Sequence, residues 1–208
     1  IDGPFLRELL TAGLPVAVNT LSSQTLQRGV NVILGITAGT HAVGIFNLAM
    51  RMIDLPRTAF YNGLMSYALP AFARRSAEPS RLIGFIFDST AISCFLLTPI
   101  FIGIAVTADD IVLLIFGAKW ADAIPLLQVL ACTAAIGNTA MYATTALVAV
   151  NRTHLTLKAE VGTTLLALAL VYGLGSLYGG MAAALALLLR MLIVTPLQIR
   201  GLDTAIGS

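Results

Sequence analysis

Apolar residues arrive in long runs and not in alternation: neither Ala91 to Val106 nor Val161 to Leu174 contains a charged residue. Runs of that length read as helices that cross a bilayer, not as buried strands. Taking about 20 residues to cross a hydrocarbon core of roughly 30 Å, the pattern predicts six spans. They are Leu9 to Ile36, Val43 to Ala73, Leu82 to Val106, Ala123 to Val150, Thr156 to Leu177 and Met181 to Ile199. The first, second and fourth exceed the minimum and are predicted to tilt, kink or project from the hydrocarbon. Pro56, Gly63 and Pro70 make the second the span predicted to bend, because proline removes a backbone hydrogen bond and crowds the preceding turn. Pro125 falls in a first turn, where it is harmless. Connections are short except Thr107 to Asp122. Its apolar part, Asp110 to Phe116, is too brief to cross and is expected at the membrane interface, with Trp120 as a headgroup-level anchor. No linker, low-complexity tract or clear repeat divides the chain, so residues 1–208 are expected to form one all-α, polytopic membrane helix bundle.

Composition agrees with that reading. The chain is 58% hydrophobic and 11% charged, against roughly a quarter charged in soluble domains, which excludes a water-soluble globular protein. A net charge of +2 is too small for a general nucleic-acid binder, so the basic residues matter by position. Cys94 and Cys132 lie in apolar runs without companion ligands and read as small core residues, not as a disulfide or a zinc site. The chain opens at Ile1 with no short apolar segment and cleavage site ahead of the first span, so a secretory signal is not expected and the sequence reads as part of something longer.

Alternating loops sort the basic residues. One face carries Arg7, Arg74, Arg75, Arg81, Arg152, Lys158 and Arg200; the other has only Lys119, beside Asp109, Asp110 and Asp122. By the positive-inside rule both ends of the segment are expected in the cytoplasm. The sequon-like Asn151-Arg152-Thr153 then faces the cytoplasm and is discounted for glycosylation.

Polar residues inside the spans are the informative anomaly. Arg28, Arg51, Asp54, Arg57, Asp88 and Arg190 all fall within predicted helices, although an arginine at mid-membrane costs about 2.5–3.5 kcal/mol on insertion scales. In the first span Gln24, Arg28 and Asn31 recur at i, i+4, i+7 with Gln27 alongside; in the second, Asn47, Arg51 and Asp54 repeat the spacing and Thr58 extends it. Each helix carries a polar stripe, and both stripes should face protein or a water-filled cavity. A purely structural ion cluster of Arg51, Asp54 and Arg57 is the alternative. Four arginines against two aspartates leave two positive charges, which suits an anionic substrate in a low-dielectric cavity. Asp88 reads as a rim residue or a partner of Arg81, Glu160 as interfacial, and Arg190 as either a cavity residue or one structural bond between helices.

Enzymatic constellations are thin. Asp109 and Asp110 read as solvated or capping residues, and His41 and His154 fall on opposite faces. Gly173, Gly175, Gly179 and Gly180 punctuate a turn, with Gly175 and Gly179 read as close packing and not as a phosphate loop. No catalytic residue, metal site or cofactor is expected.

The motifs resemble the polysaccharide flippases, of O-antigen and exopolysaccharide type, of the multidrug/oligosaccharidyl-lipid/polysaccharide exporter superfamily. Gly13-Leu14-Pro15 looks like the start of the family's seventh helix, with Gln27-Arg28 following; Gly44 to Arg51-Met52, Leu55-Pro56 and Leu69-Pro70-Ala71-Phe72-Ala73-Arg74 continue the likeness. Gly117-Ala118-Lys119-Trp120 and Ala123-Ile124-Pro125-Leu126-Leu127 resemble the family's Gly-x-Lys-Trp loop and next helix. The likeness covers nearly the whole chain and implies the second of two six-helix lobes, the first lobe being the partner absent here. It implies flipping of a lipid-pyrophosphate-linked oligosaccharide among membrane lipids by alternating access, without nucleic acid and without enzymatic chemistry. By position Arg28 and Arg51 would hold the pyrophosphate, and Arg57 and Arg190 are carried over with them. Asn31, Gln24, Gln27 and Asn47 would offer hydrogen bonds, and Asp54 would tune the arginines. A cation-coupled multidrug exporter would want acidic cavity residues, and a sugar-polymerising enzyme a large outer loop; both are alternatives that this sequence favours less.

Overall fold

The computed structural model describes residue 21 and residues 24–75, 79–139 and 154–206, and among these no strand occurs. The start of the first expected span, with Arg7 and Gly13-Leu14-Pro15, lies outside the described residues. So do the end of the fourth span beyond Thr139, Arg152, and the side chains of Arg74, Arg75, Arg81 and Lys158.

Helix α1 covers 24–37 and α2 covers Gly39–Arg75, separated only by Ala38. Gly39 makes this reversal at φ +82°, a left-handed conformation that costs glycine little. Then come α3 (Pro79–Val106), the short α4 (Ala108–Ile115), a 3-10 turn (Ala118–Trp120), α5 (Ala123–Asn138), α6 (His154–Tyr178) and α7 (Gly180–Ile206). The second reversal, at Gly179, again has positive φ. Helix α2 runs without a break through Pro56, Gly63 and Pro70, and Pro99 and Pro196 are likewise taken up inside α3 and α7.

The fold is an all-α membrane helix bundle. Among the described residues three helical stretches are long and apolar enough to cross a membrane: Phe87–Val106, Ala159–Tyr178 and Gly180–Arg200. Helix α5 is apolar but short, with 16 residues. Helix α2 has 37 residues and ample length, but Asn47, Arg51, Asp54 and Arg57 interrupt its apolar character. The outward surface fits lipid. Phe95 is 79% exposed, Leu177 75% and Tyr172 68%, a pattern that would drive aggregation in water.

Helix α5 is the hub, packing on α2, α3, α4 and α7, while α6 and α7 form the most extensive helix pair. Hydrocarbon supplies no hydrophobic force between helices, so association depends on close approach at small residues. Ala123, Ala131 and Ala134 of α5 and Ala182, Ala183, Ala184 and Ala186 of α7 are all buried. Gly175 and Gly180 act in the same way: an added Cβ would lie 2.5 Å from Thr37 Oγ1 and 2.6 Å from Leu126 Cδ2, respectively. Gly175 is thus a close-packing position, as its spacing implied, and Gly179 supplies the turn, whereas an added Cβ at Gly173 would meet nothing within 4 Å.

One expectation changes. Cys132 is exposed on α5 and Cys94 is only half-buried, so neither is a core residue; Cys132 sits between buried Ala131 and Thr133, where about 100° of helical rotation per residue turns it outward. Trp120 is half-buried against the core, with Lys119 Nζ 5.9 Å from its ring centroid. Beside it, α4 buries Ala108 and Val112 and exposes Leu113, Leu114 and Ile115; Asp109 and Asp110 stand exposed in its positively polarised first turn.

Candidate functional site

The α1–α2 hairpin separates core from polar stripe by periodicity alone. Leu26, Val30 and Leu34, at intervals of four, are buried, as are Ile45, Phe46, Ala49 and Ile53 of α2. The stripes therefore turn away from the core. Gln24, Gln27, Arg28, Arg51 and Thr58 are exposed, and Asn31, Asn47, Asp54 and Arg57 are half-buried. Asn31 Oδ1 is a buried acceptor without a hydrogen-bond donor among the described residues.

Depth follows from helix rise. A side-chain carbon at Gly179 would lie 4.0 Å from Ala38 Cβ, so the two reversals stand level at one end of the bundle. His41 and Asp122 approach to 3.8 Å at that end, though both are too exposed for the pair to contribute much. At about 1.5 Å per residue, Arg28 and Arg51 stand about 15 and 20 Å from this end, near mid-membrane, whereas Arg57 stands about 28 Å away, close to the opposite interface.

The four span arginines divide in two. Arg57 Nη1 lies 3.8 Å from Asp54 Oδ1, and its guanidinium is 5.9 Å from the Phe101 ring of α3. Asp54 thus pairs with Arg57. Arg190 donates from Nη2 to Glu160 Oε2, and Gln198 Nε2 donates to Glu160 Oε1 at 2.7 Å. This cluster lies between α6 and α7, with side chains 15% and 11% exposed for Arg190 and Glu160. Glu160 stands about 28 Å from the reversals by helix rise, near the interface as its position implied, but it is buried and paired there. Its partners are 30 and 38 residues away, beyond the reach of local spacing. With Glu160 counted, four arginines face three carboxylates. Arg28 and Arg51 are the two that form no ion pair among the described residues, and Asp88 is exposed on α3.

A cleft of about 200 Å³ opens between α1, α2 and α7. Gln27, Asp54 and Arg57 supply its polar lining, and Leu26, Val30, Phe46, Met50 and Leu187 its apolar lining. The sequence singled out the polar contributors Gln27, Asp54 and Arg57, but the apolar ones, Leu187 of α7 among them, carry no signal that sets them apart from other residues of apolar helices. Among the described residues no cluster of His, Cys, Asp and Glu could hold a metal ion.

A family profile described as polysaccharide biosynthesis protein matches residues 2–125. The teichuronic acid biosynthesis protein TuaB of Bacillus subtilis (strain 168) is 31% identical over 115 residues, which is 53% of this chain and 24% of that protein. The succinoglycan biosynthesis transport protein ExoT of Rhizobium meliloti (strain 1021) is 27% identical over 105 residues, 50% of this chain and 21% of that protein. The match thus spans about a quarter or less of these relatives' lengths. No solved structure matches the chain.

Proposed function

Since the chain belongs to the polysaccharide biosynthesis protein family, we propose that it forms one wall of a flippase for a lipid-pyrophosphate-linked oligosaccharide. The observation that carries this reading is the pair Arg28 and Arg51, near mid-membrane and without a carboxylate partner among the described residues. An uncompensated guanidinium at that depth is costly, and a diphosphate offers it the bidentate, doubly charged acceptor that water and lipid do not. Gln24, Gln27, Asn31 and Asn47 share the same two helices and can bond phosphate or sugar oxygens. Asp54 and Arg57 hold each other at the cleft, and Arg190, committed to Glu160, acts on helix packing.

The polar stripes face away from the described core, so they need a second wall to exclude lipid. A first transmembrane lobe is the partner this reading requires, in keeping with relatives about four to five times as long as the matched segment. The test is reconstitution of the full-length protein in liposomes carrying a fluorescent lipid-diphosphate oligosaccharide in one leaflet. Time-dependent loss of protection from an impermeant quencher is the expected result; protection equal to that of protein-free liposomes would refute the flippase.

The inner membrane and cytoplasmic ends belong to the same proposal. The end where the reversals at Ala38 and Gly179 meet carries Lys119 among Asp109, Asp110 and Asp122, whereas the arginine-rich segments end at the other face. In a background lacking Cys94 and Cys132, Lys119→Cys is expected to react with an impermeant maleimide in intact cells and Arg75→Cys only after permeabilisation. The reverse pattern would invert the orientation.

A further inference from the structure

Resting on the flippase reading, we propose that the cleft between α1, α2 and α7 is a subsite for the lipid tail of the substrate, taking the apolar segment next to the diphosphate. The cleft is graded along the membrane normal. Val30 and Phe46 each lie eight residues from Ala38, and Leu187 lies eight from Gly179, so all three meet about 12 Å from the end where the reversals pack together. That floor is wholly apolar. The polar lining begins with Gln27 at about 16 Å and ends with Asp54 and Arg57 at about 24–28 Å.

The gradient selects the occupant. A sugar at the floor would bury hydroxyls against Val30, Phe46 and Leu187, with no acceptor or donor to receive them. Size points the same way, because pockets that enclose drug-sized ligands run to roughly 300–1,000 Å³, whereas an apolar cavity of about 150 Å³ takes a benzene-sized group. The 200 Å³ cleft therefore suits a few branched carbons and not an oligosaccharide unit. The head group is placed by depth. Arg28 and Arg51 do not line the cleft, but they follow Gln27 and Met50 at nearly the same depth, turned about 100° round each helix onto the exposed stripe. A diphosphate held by that stripe lies level with the polar lining, from which its first tail carbons turn in past Gln27 toward the apolar floor.

The test uses the full-length protein in detergent, with farnesyl diphosphate, inorganic pyrophosphate and farnesol as probes. Farnesyl diphosphate is expected to bind at least tenfold more tightly than pyrophosphate. Val30→Phe and Leu187→Phe fill the floor from different helices, and each should cut that advantage below threefold while leaving pyrophosphate affinity unchanged. An undiminished advantage in either variant overturns the tail subsite and leaves the flippase reading standing. Failure of both phosphate-bearing probes to bind wild-type protein overturns the flippase reading as well. If phosphatidylglycerol displaces farnesyl diphosphate with the same dependence on Val30 and Leu187, the cleft is a general lipid site and the proposal fails. Should both variants misfold, a diazirine-bearing prenyl diphosphate decides on wild-type protein: crosslinks at Phe46 or Met50 uphold the subsite, and crosslinks confined elsewhere overturn it.

Discussion

Arg28→Ala and Arg51→Ala, each made in the full-length protein, are expected to abolish polysaccharide export while leaving the amount of protein in the membrane nearly unchanged. Each removes a charge-assisted contact to the diphosphate, worth about 1.5–3 kcal/mol per hydrogen bond. Loss of a bidentate pair would lower transport by a factor of about 100 or more. Abundance should hold because neither side chain forms an ion pair among the described residues that its removal would break. Lysine at either position should restore only part of the activity, since an ammonium cannot reproduce the planar fork. Export assays with quantified membrane protein check this. Normal export by both alanine variants would reduce the stripe to packing and remove the anionic-substrate mechanism.

Glu160→Ala should have the opposite signature, with folding lost first. The substitution leaves Arg190 half-buried without its carboxylate and takes the acceptor from Gln198. Breaking one side of a buried pair costs about 3–5 kcal/mol, a large fraction of the 5–15 kcal/mol that holds a typical protein folded. Membrane abundance and the melting temperature in detergent should both fall sharply. Joining Glu160→Ala to Arg190→Met should recover most of the loss, because removing both charges leaves no ion stranded between α6 and α7. A Glu160→Ala protein that melts like wild type would show that the pair holds nothing together.

These two predictions separate residues that sequence spacing had grouped. Arg28, Arg51, Arg57 and Arg190 look alike in the sequence, as cations inside apolar runs. Phe101 and Asp54 engage Arg57, and Glu160 engages Arg190, so among the described residues Arg28 and Arg51 are the two of the four without an ion pair. Asp54 was legible as a neighbour of both Arg51 and Arg57. Which one it pairs with depends on rotamers and on the ring that α3 brings alongside.

What the sequence determined by itself is the membrane, the helices and their faces. Uncharged runs long enough to span a bilayer admit only structures that satisfy their own backbone, and the recurrence of Gln24, Arg28 and Asn31 assigns one side of α1 to polar contact. Helical periodicity says which way a residue points, but not what it meets. The meeting of Glu160 with Arg190 and Gln198, and the floor that Leu187 makes with Val30 and Phe46, depend on the rotation and register of helices distant in sequence. Those were decided by tertiary packing, where Gly175 against Thr37 and Gly180 against Leu126 let the helices approach at that register.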